Sequence, residues 1–180
     1  MRLRPGPFAA SHMSANLKSH VAVALACGVT IGLIGLIAVW AQMPFLLASL
    51  GPTVAIQIAT PELPSARAWN VAVGHLIGLG VGVLALYLTG AIDAPSFLHD
   101  HSLSLDRVAA AAFGIAIGTL IEFLLRASHP PAASTSLLVA LGAIDITWRG
   151  IGSVLVGIAL VTLFGELARH LRLRRAPPTP

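Results

Sequence analysis

Leu46-Leu47-Ala48-Ser49-Leu50-Gly51-Pro52-Thr53 and Leu124-Leu125-Arg126-Ala127-Ser128-His129-Pro130-Pro131 are the two stretches on which the reading of the fold turns. Each breaks an apolar run with proline, and Leu46, Leu47 and Pro52 recur as Leu124, Leu125 and Pro130 at a fixed offset of 78 residues. After one inserted residue Trp69 meets Trp148 and Gly78 meets Gly157, while the match fades in the helices that precede each break. Self-similarity at a fixed offset is the mark of duplication. Each half then holds three apolar segments, and three crossings per half would make the halves inverted relative to one another.

The rest of the chain sets these breaks in a membrane. Of 180 residues, 56% are hydrophobic and 10% charged, where soluble domains carry roughly 25% charged residues. No Asp, Glu, Lys or Arg occurs from Ser19 to Pro61 or from Ala68 to Ile92. A spanning helix needs about 20 apolar residues, and Val21–Trp40, Trp69–Ile92, Val108–Leu125 and Gly150–Ala168 come close enough to qualify. Met43–Thr60 and His129–Ile146 are shorter, hold the proline breaks, and fit either a crossing or a re-entrant loop. The expected fold is therefore an all-α polytopic membrane protein with about six apolar segments, four full spans plus two short Pro-started ones, consistent with a three-plus-three inverted repeat. Its expected organisation is an N-terminal cytoplasmic tail over residues 1–18, a transmembrane domain over 19–170 and a C-terminal cytoplasmic tail over 171–180.

The net charge of +4 comes from an N-terminal cluster (Arg2, Arg4, Lys18) and a C-terminal one (Arg169, Arg172, Arg174, Arg175), which is juxtamembrane charge rather than a nucleic-acid patch. Basic tails at both ends place both termini in the cytoplasm of a bacterial inner membrane and require an even number of crossings, four or six. The loop Asp93–Arg107, with Asp93, Asp100 and Asp106 against one arginine, fits an external position, which six crossings give it. The first apolar run is too long for a signal-peptide core and should stay in the mature protein. Ser11-His12-Met13 reads as a cloning remnant, which would put the natural start at Met13, and Ala176–Pro180 reads as a frayed tail. The single cysteine, Cys27, removes disulfide frameworks, Cys-rich zinc sites and iron–sulfur clusters.

Chemistry is expected at the breaks. Proline suits the first helical turn, where its missing N–H has no partner to lose, so Pro52 and Pro130 mark helix starts. Unpaired N–H groups and the positive end of the helix dipole would then face a membrane interior that cannot hydrate them, and a small anion fits that need. Ser49, Gly51, Pro52 and Thr53 at one break, and His129, Pro130, Pro131, Ala132, Ser134 and Thr135 at the other, are the candidate anion-binding residues, with Ser128 and Ser136 close by. Hydroxyls donate to an oxyanion without adding charge, and interrupted short segments in corresponding halves point to a transporter's binding site. The plainer alternative is a pair of kinked helices whose hydroxyls bond back to the carbonyl four residues earlier.

His129 fits either an ordinary capping role or a switchable positive charge, through which a proton would couple to transport. Asn70 and His75 are supporting polar residues, and His75 equally fits a simple helix–helix hydrogen bond. Glu122 and Arg126, four apart and acid first, read foremost as an ion pair, and alternatively as proton acceptor and counter-charge for the anion. Gly28 and Gly32, Gly74 and Gly78, Gly78 and Gly82, and Gly114 and Gly118 are each four apart and read as packing faces within or between protomers, a homo-oligomer included. His99-Asp100-His101 reads as a solvated loop rather than a metal site, since ligands so close together seldom close a coordination sphere. No nucleophile elbow, zinc-helix motif or phosphate-binding loop is present, so neither an enzyme nor a cofactor or metal is expected.

Ser49-Leu50-Gly51-Pro52-Thr53, Ala59-Thr60-Pro61, Asn70 with Gly74-His75, and His129-Pro130-Pro131-Ala132 together resemble the HPP family of integral membrane proteins, named for that tripeptide. The resemblance implies a small helical membrane protein, usually described with four transmembrane segments, some plant and cyanobacterial members of which are implicated in nitrite transport. Ala133 stands where the family commonly has Gly, and Trp69 where an Arg often precedes the Asn. Some relatives append a regulatory domain of the cystathionine-β-synthase type, for which this chain has no room. Taken together, the expectation is a transporter or channel for a small monovalent inorganic anion, nitrite first among them. The alternative is a membrane scaffold packed through its glycines.

Overall fold

The computed structural model describes the backbone of residues 7–175 and the side chains of 17–174. The cloning-remnant side chains and the Pro-rich tail lie outside the described residues. Among the described residues there are seven α-helices and no strands: α1 Pro7–Ala41, α2 Leu50–Ala59, α3 Ala68–Thr89, α4 Phe97–Asp100, α5 Leu105–Leu124, α6 Pro131–Ala140 and α7 Trp148–Arg175. A single 3-10 turn, Pro64–Ala66, precedes α3. Leu17–Ala41, Ala68–Thr89, Leu105–Leu124 and Trp148–Arg174 are long and apolar enough to span, matching the four charge-poor stretches to within several residues. The helix of α1 already starts at Pro7, inside the segment expected to be a tail.

The two proline breaks open helices of ten residues each, about 15 Å long at 1.5 Å per residue and half of a roughly 30 Å hydrocarbon layer. Their starts differ slightly from expectation. Pro52 is the third residue of α2, and Pro130 is the residue before α6, with Pro131 at its first position. All three prolines thus fall where a missing N–H costs no helical bond. Ser104 caps α5 by accepting from the Arg107 N–H at 3.3 Å, and α3 ends on Gly90 at φ +74, a left-handed turn suited to glycine.

The order long, short, long occurs twice, as α1-α2-α3 and α5-α6-α7. In each half the third helix lies parallel to the short helix of the other half. Along α3, Gly74 meets His129, Gly78 meets the Ala132 carbonyl, and Gly82 meets Ser136 and Val139. Along α7, Gly157 meets the Phe45 carbonyl and Gly165 meets Gln57. A Cβ on Gly78 would stand 2.5 Å from the Ala132 oxygen, so close helix approach there depends on glycine. By contrast a Cβ on Gly28, Gly32 or Gly118 would meet nothing within 4 Å, and Gly28 and Gly32 are exposed, so these two are not packing positions within the protomer.

These pairings fix direction. The end of α2 lies by the C-terminal part of α7, where Arg169 Nη1 donates to the Pro61 carbonyl at 2.9 Å. The end of α6 lies by the start of α5, where Arg107 Nη1 donates to the Ala140 carbonyl at 2.9 Å. So α2 and α6 run antiparallel, each completing a traverse begun by non-helical chain, and the chain passes through the bundle six times. Four of those passes are the long helices. One apolar core, including Ile34, Leu50, Val54, Ile58, Val71 and Val161, fills the half of the bundle nearest the chain ends. A second, including Leu79, Ala85, Leu86, Ala110, Val139 and Val154, fills the half nearest the 90–104 loop. Between Val71 of one core and Leu79 of the other, on the same face of α3, sits His75.

Candidate functional site

The N-terminal ends of α2 and α6 overlap side by side between the two cores, and the polar side chains there bond directly to one another. Thr53 Oγ1 lies 2.9 Å from His75 Nε2 and 3.0 Å from His129 Nε2. On its other side His75 Nδ1 lies 2.7 Å from Thr135 Oγ1, which is 3.0 Å from Ser49 Oγ. His129 Nδ1 is 2.8 Å from the Ser65 carbonyl oxygen. The two imidazoles meet edge to face, centroids 5.0 Å apart. Ser49, Thr53, His75, His129 and Thr135 are all 0% exposed. Burying five polar side chains without partners would cost several kcal/mol; here each is held by another, drawn from α2, α3, α6 and the approach to α6.

The backbone at the two tips behaves differently. At α6, Pro130 and Pro131 have no N–H; the Ala132 and Ala133 N–H groups donate to the His129 and Pro130 carbonyls at 2.8 and 3.2 Å. The His129 N–H donates to Glu122 Oε2 at 2.9 Å. The expected open donors are therefore closed, and the acceptor at the tip of α6 is the protein's own Glu122 carboxyl. This also corrects the Glu122–Arg126 pair. Helix α5 stops at Leu124, Arg126 turns left-handed at φ 52, and its side chain is exposed while Glu122 is buried. At α2, the Leu50 and Thr53 N–H groups bond to the Leu47 and Ser49 carbonyls. The Gly51 N–H has no acceptor among the described residues, and a Cβ on Gly51 would meet nothing within 4 Å.

Other candidates distribute as follows. Asn70 Nδ2 donates to the Ser128 and Arg126 carbonyls at 3.1 and 3.4 Å, tying the approach to α6 onto α3. Pro131 and Ala132 are buried against α3; Gly51, Pro52 and Pro130 are exposed; Ser134 is half-buried and makes none of the cluster's bonds. Thr53 also lies 2.9 Å from the carbonyl four residues back, at Ser49, so the plain kinked-helix bond and the cluster share one hydroxyl. Ser65 has no counterpart among the sequence candidates, because it acts through its carbonyl, which no side-chain pattern reveals. His75, expected as a support, is the centre of the cluster. The C-terminal ends of the two short helices carry arginine: Arg107 donates to the Ala94, Pro95 and Ala140 carbonyls, and Arg169 to the Pro61 carbonyl. Both negative dipole ends are thereby neutralised at the rims while both positive ends point inward.

Six passes, antiparallel half-length helices and a buried polar cluster at their tips define a polytopic integral membrane protein built on inverted halves. A family model described as "HPP, transmembrane region" matches residues 12–178, and the chain belongs to that family. No curated protein and no solved structure matches it.

Proposed function

We propose that this protein carries a small monovalent inorganic anion, nitrite first among the candidates, across the bacterial inner membrane, with both chain ends in the cytoplasm. The observation that carries the reading is the convergence of two half-helix N-termini from opposite halves. Ser49 lies beside Thr135 and Thr53 beside His129, each pair 3.0 Å apart. Positive dipole ends with hydroxyl and N–H donors suit an anion and hold it weakly enough for release. The free Gly51 N–H is the first contact offered to it, and protonation of His129 supplies a proton to move with it. Proteoliposomes with an anion-sensitive reporter test this. Nitrite flux above that of empty vesicles is expected; no flux of nitrite, nitrate, formate or chloride removes the proposal.

One observation favours a second reading, a membrane scaffold without transport. All five cluster side chains are satisfied by each other with 0% exposure, as a purely structural core would require, and Gly28 and Gly32 leave an open face on α1 for a second copy or another helix. A stoichiometric partner retained from native membranes, with phenotypes unchanged in His129→Ala and Thr53→Ala, would decide for the scaffold.

A further inference from the structure

The cluster is continuous. Ser49 Oγ, Thr135 Oγ1, His75 with its two nitrogens, Thr53 Oγ1 and His129 form one continuous chain of contacts between 2.7 and 3.0 Å, with a side branch from Thr53 Oγ1 to the Ser49 carbonyl. It ends at the Ser65 carbonyl, 2.8 Å from His129 Nδ1. Ser65 is half-buried on the face of the chain ends. At the other end Ala48, next to Ser49, lines a cleft of about 290 Å³ with Asp145 and Leu98 from the opposite face. Ser49 itself is fully buried, one residue from that cleft.

Proton positions follow from the partners. A carbonyl only accepts, so His129 Nδ1 bears hydrogen. In neutral His129 the Nε2 lone pair then needs a donor, and Thr53 is its one neighbour. Thr53 has a single proton; having given it to His129, it accepts from His75 Nε2–H. His75 Nδ1 consequently accepts from Thr135, whose hydroxyl must then turn from donating to Ser49 Oγ, 3.0 Å away, to accepting from it. With Thr135 so turned, every bond points the same way, from Ser49 toward His129.

We propose that this chain is a proton relay between the cleft beside Ala48 and His129. A proton taken up on the Ser49 oxygen displaces the Ser49 proton to Thr135, the Thr135 proton to His75 Nδ1, the His75 Nε2 proton to Thr53, and the Thr53 proton to His129 Nε2. No heavy-atom bond changes, all four hydrogen bonds reverse, and His129 gains one proton and one positive charge. The groups facing the two imidazoles are Ser49 and Thr53 from α2, Thr135 from α6, the Ser65 carbonyl, and Glu122 from α5. Glu122, held by the His129 N–H, is the acidic group among them and, when ionised, offsets the imidazolium. This deepens the proton-coupled part of the proposed function, but the relay stands on the hydrogen-bond order and not on the anion.

The competing arrangement is a dead end. When His129 is protonated, the Thr53 hydroxyl turns to the Ser49 carbonyl, 2.9 Å away, and His75 keeps its tautomer. Nitrogen-15 NMR of histidine-labelled full-length protein in lipid, without nitrite, separates the two. The relay requires His75 to carry its proton on Nε2 at high pH and to exchange it for one on Nδ1 as His129 becomes doubly protonated. Thr53→Val should abolish that exchange and Thr53→Ser should restore it. A His75 tautomer that stays fixed through the His129 titration, or a His75 that simply gains a second proton, overturns the relay. Since no anion is present, absence of nitrite transport leaves this result intact, and nitrite transport with a fixed His75 removes the relay alone.

Discussion

At the scale of single residues the most consequential is Glu122, a carboxylate occupying the helix tip where an anion was expected. Glu122→Gln keeps an oxygen to accept the His129 N–H and removes the charge. If a transported anion visits this cluster, losing one like charge within several ångströms should lower its KM roughly tenfold in proteoliposomes, with little change in thermal unfolding. Glu122→Ala, which strands the buried N–H, should instead cost about 1–3 kcal/mol in detergent-solubilised stability. An unchanged KM in Glu122→Gln would place the anion elsewhere. The sequence made His129 legible because two prolines behind it mark a helix start, and Thr53 because it follows Pro52. It could not rank His75, since a lone histidine in an apolar helix has the same pattern whether it bridges two hydroxyls or caps one carbonyl. Glu122 and Arg126 misled because i,i+4 pairing presumes that the helix continues, and α5 ends between them.

At the scale of elements, the bundle depends on how closely α3 approaches α6 and on how α6 ends. Gly78→Ala would put a methyl 2.5 Å from the Ala132 carbonyl oxygen, and backbone cannot swing aside as a flexible side chain does. A loss of about 1–3 kcal/mol is expected in thermal unfolding. Gly28→Ala, with nothing within 4 Å, should leave the protomer unharmed or gain up to about 1 kcal/mol from helix propensity. The GxxxG-like spacing is identical at the two places, so spacing alone could not separate the helix that packs inside from the one facing outward. Arg107 makes the matching test at the other end of α6. It satisfies three carbonyls at 2.6, 3.1 and 2.9 Å, and Arg107→Leu should cost about 2–3 kcal/mol, charged donors being the stronger ones. Arg107→Lys should recover only part of this, because an ammonium lacks the planar fork that reaches three acceptors at once.

At the scale of the whole molecule, the four long helices were readable because membrane interiors exclude unpaired charge, so runs without Asp, Glu, Lys or Arg outline them directly. The two short helices left the number of passes open, since ten helical residues and a non-helical leg have the same hydropathy whether they traverse or return. Contacts decide it. Pro61, after α2, touches Arg169 near the end of α7, whereas Leu141, after α6, accepts from Phe97 N–H in the 90–104 loop at 3.1 Å. Exposed tryptophans mark both rims, Trp40 and Trp148 on the loop face and Trp69 on the other, as interfacial aromatics do. Six passes put Glu62 on the face of the chain ends and Ser102 on the opposite one, while four passes with re-entrant middles would exchange them. In a Cys27→Ser background, Glu62→Cys and Ser102→Cys provide the readout with a membrane-impermeant maleimide on intact cells. Labelling of position 102 alone is expected, with position 62 reacting only after the membrane is opened. The reverse pattern would return α2 and α6 to the face they started from, and their tips would no longer bridge the two sides of the bilayer.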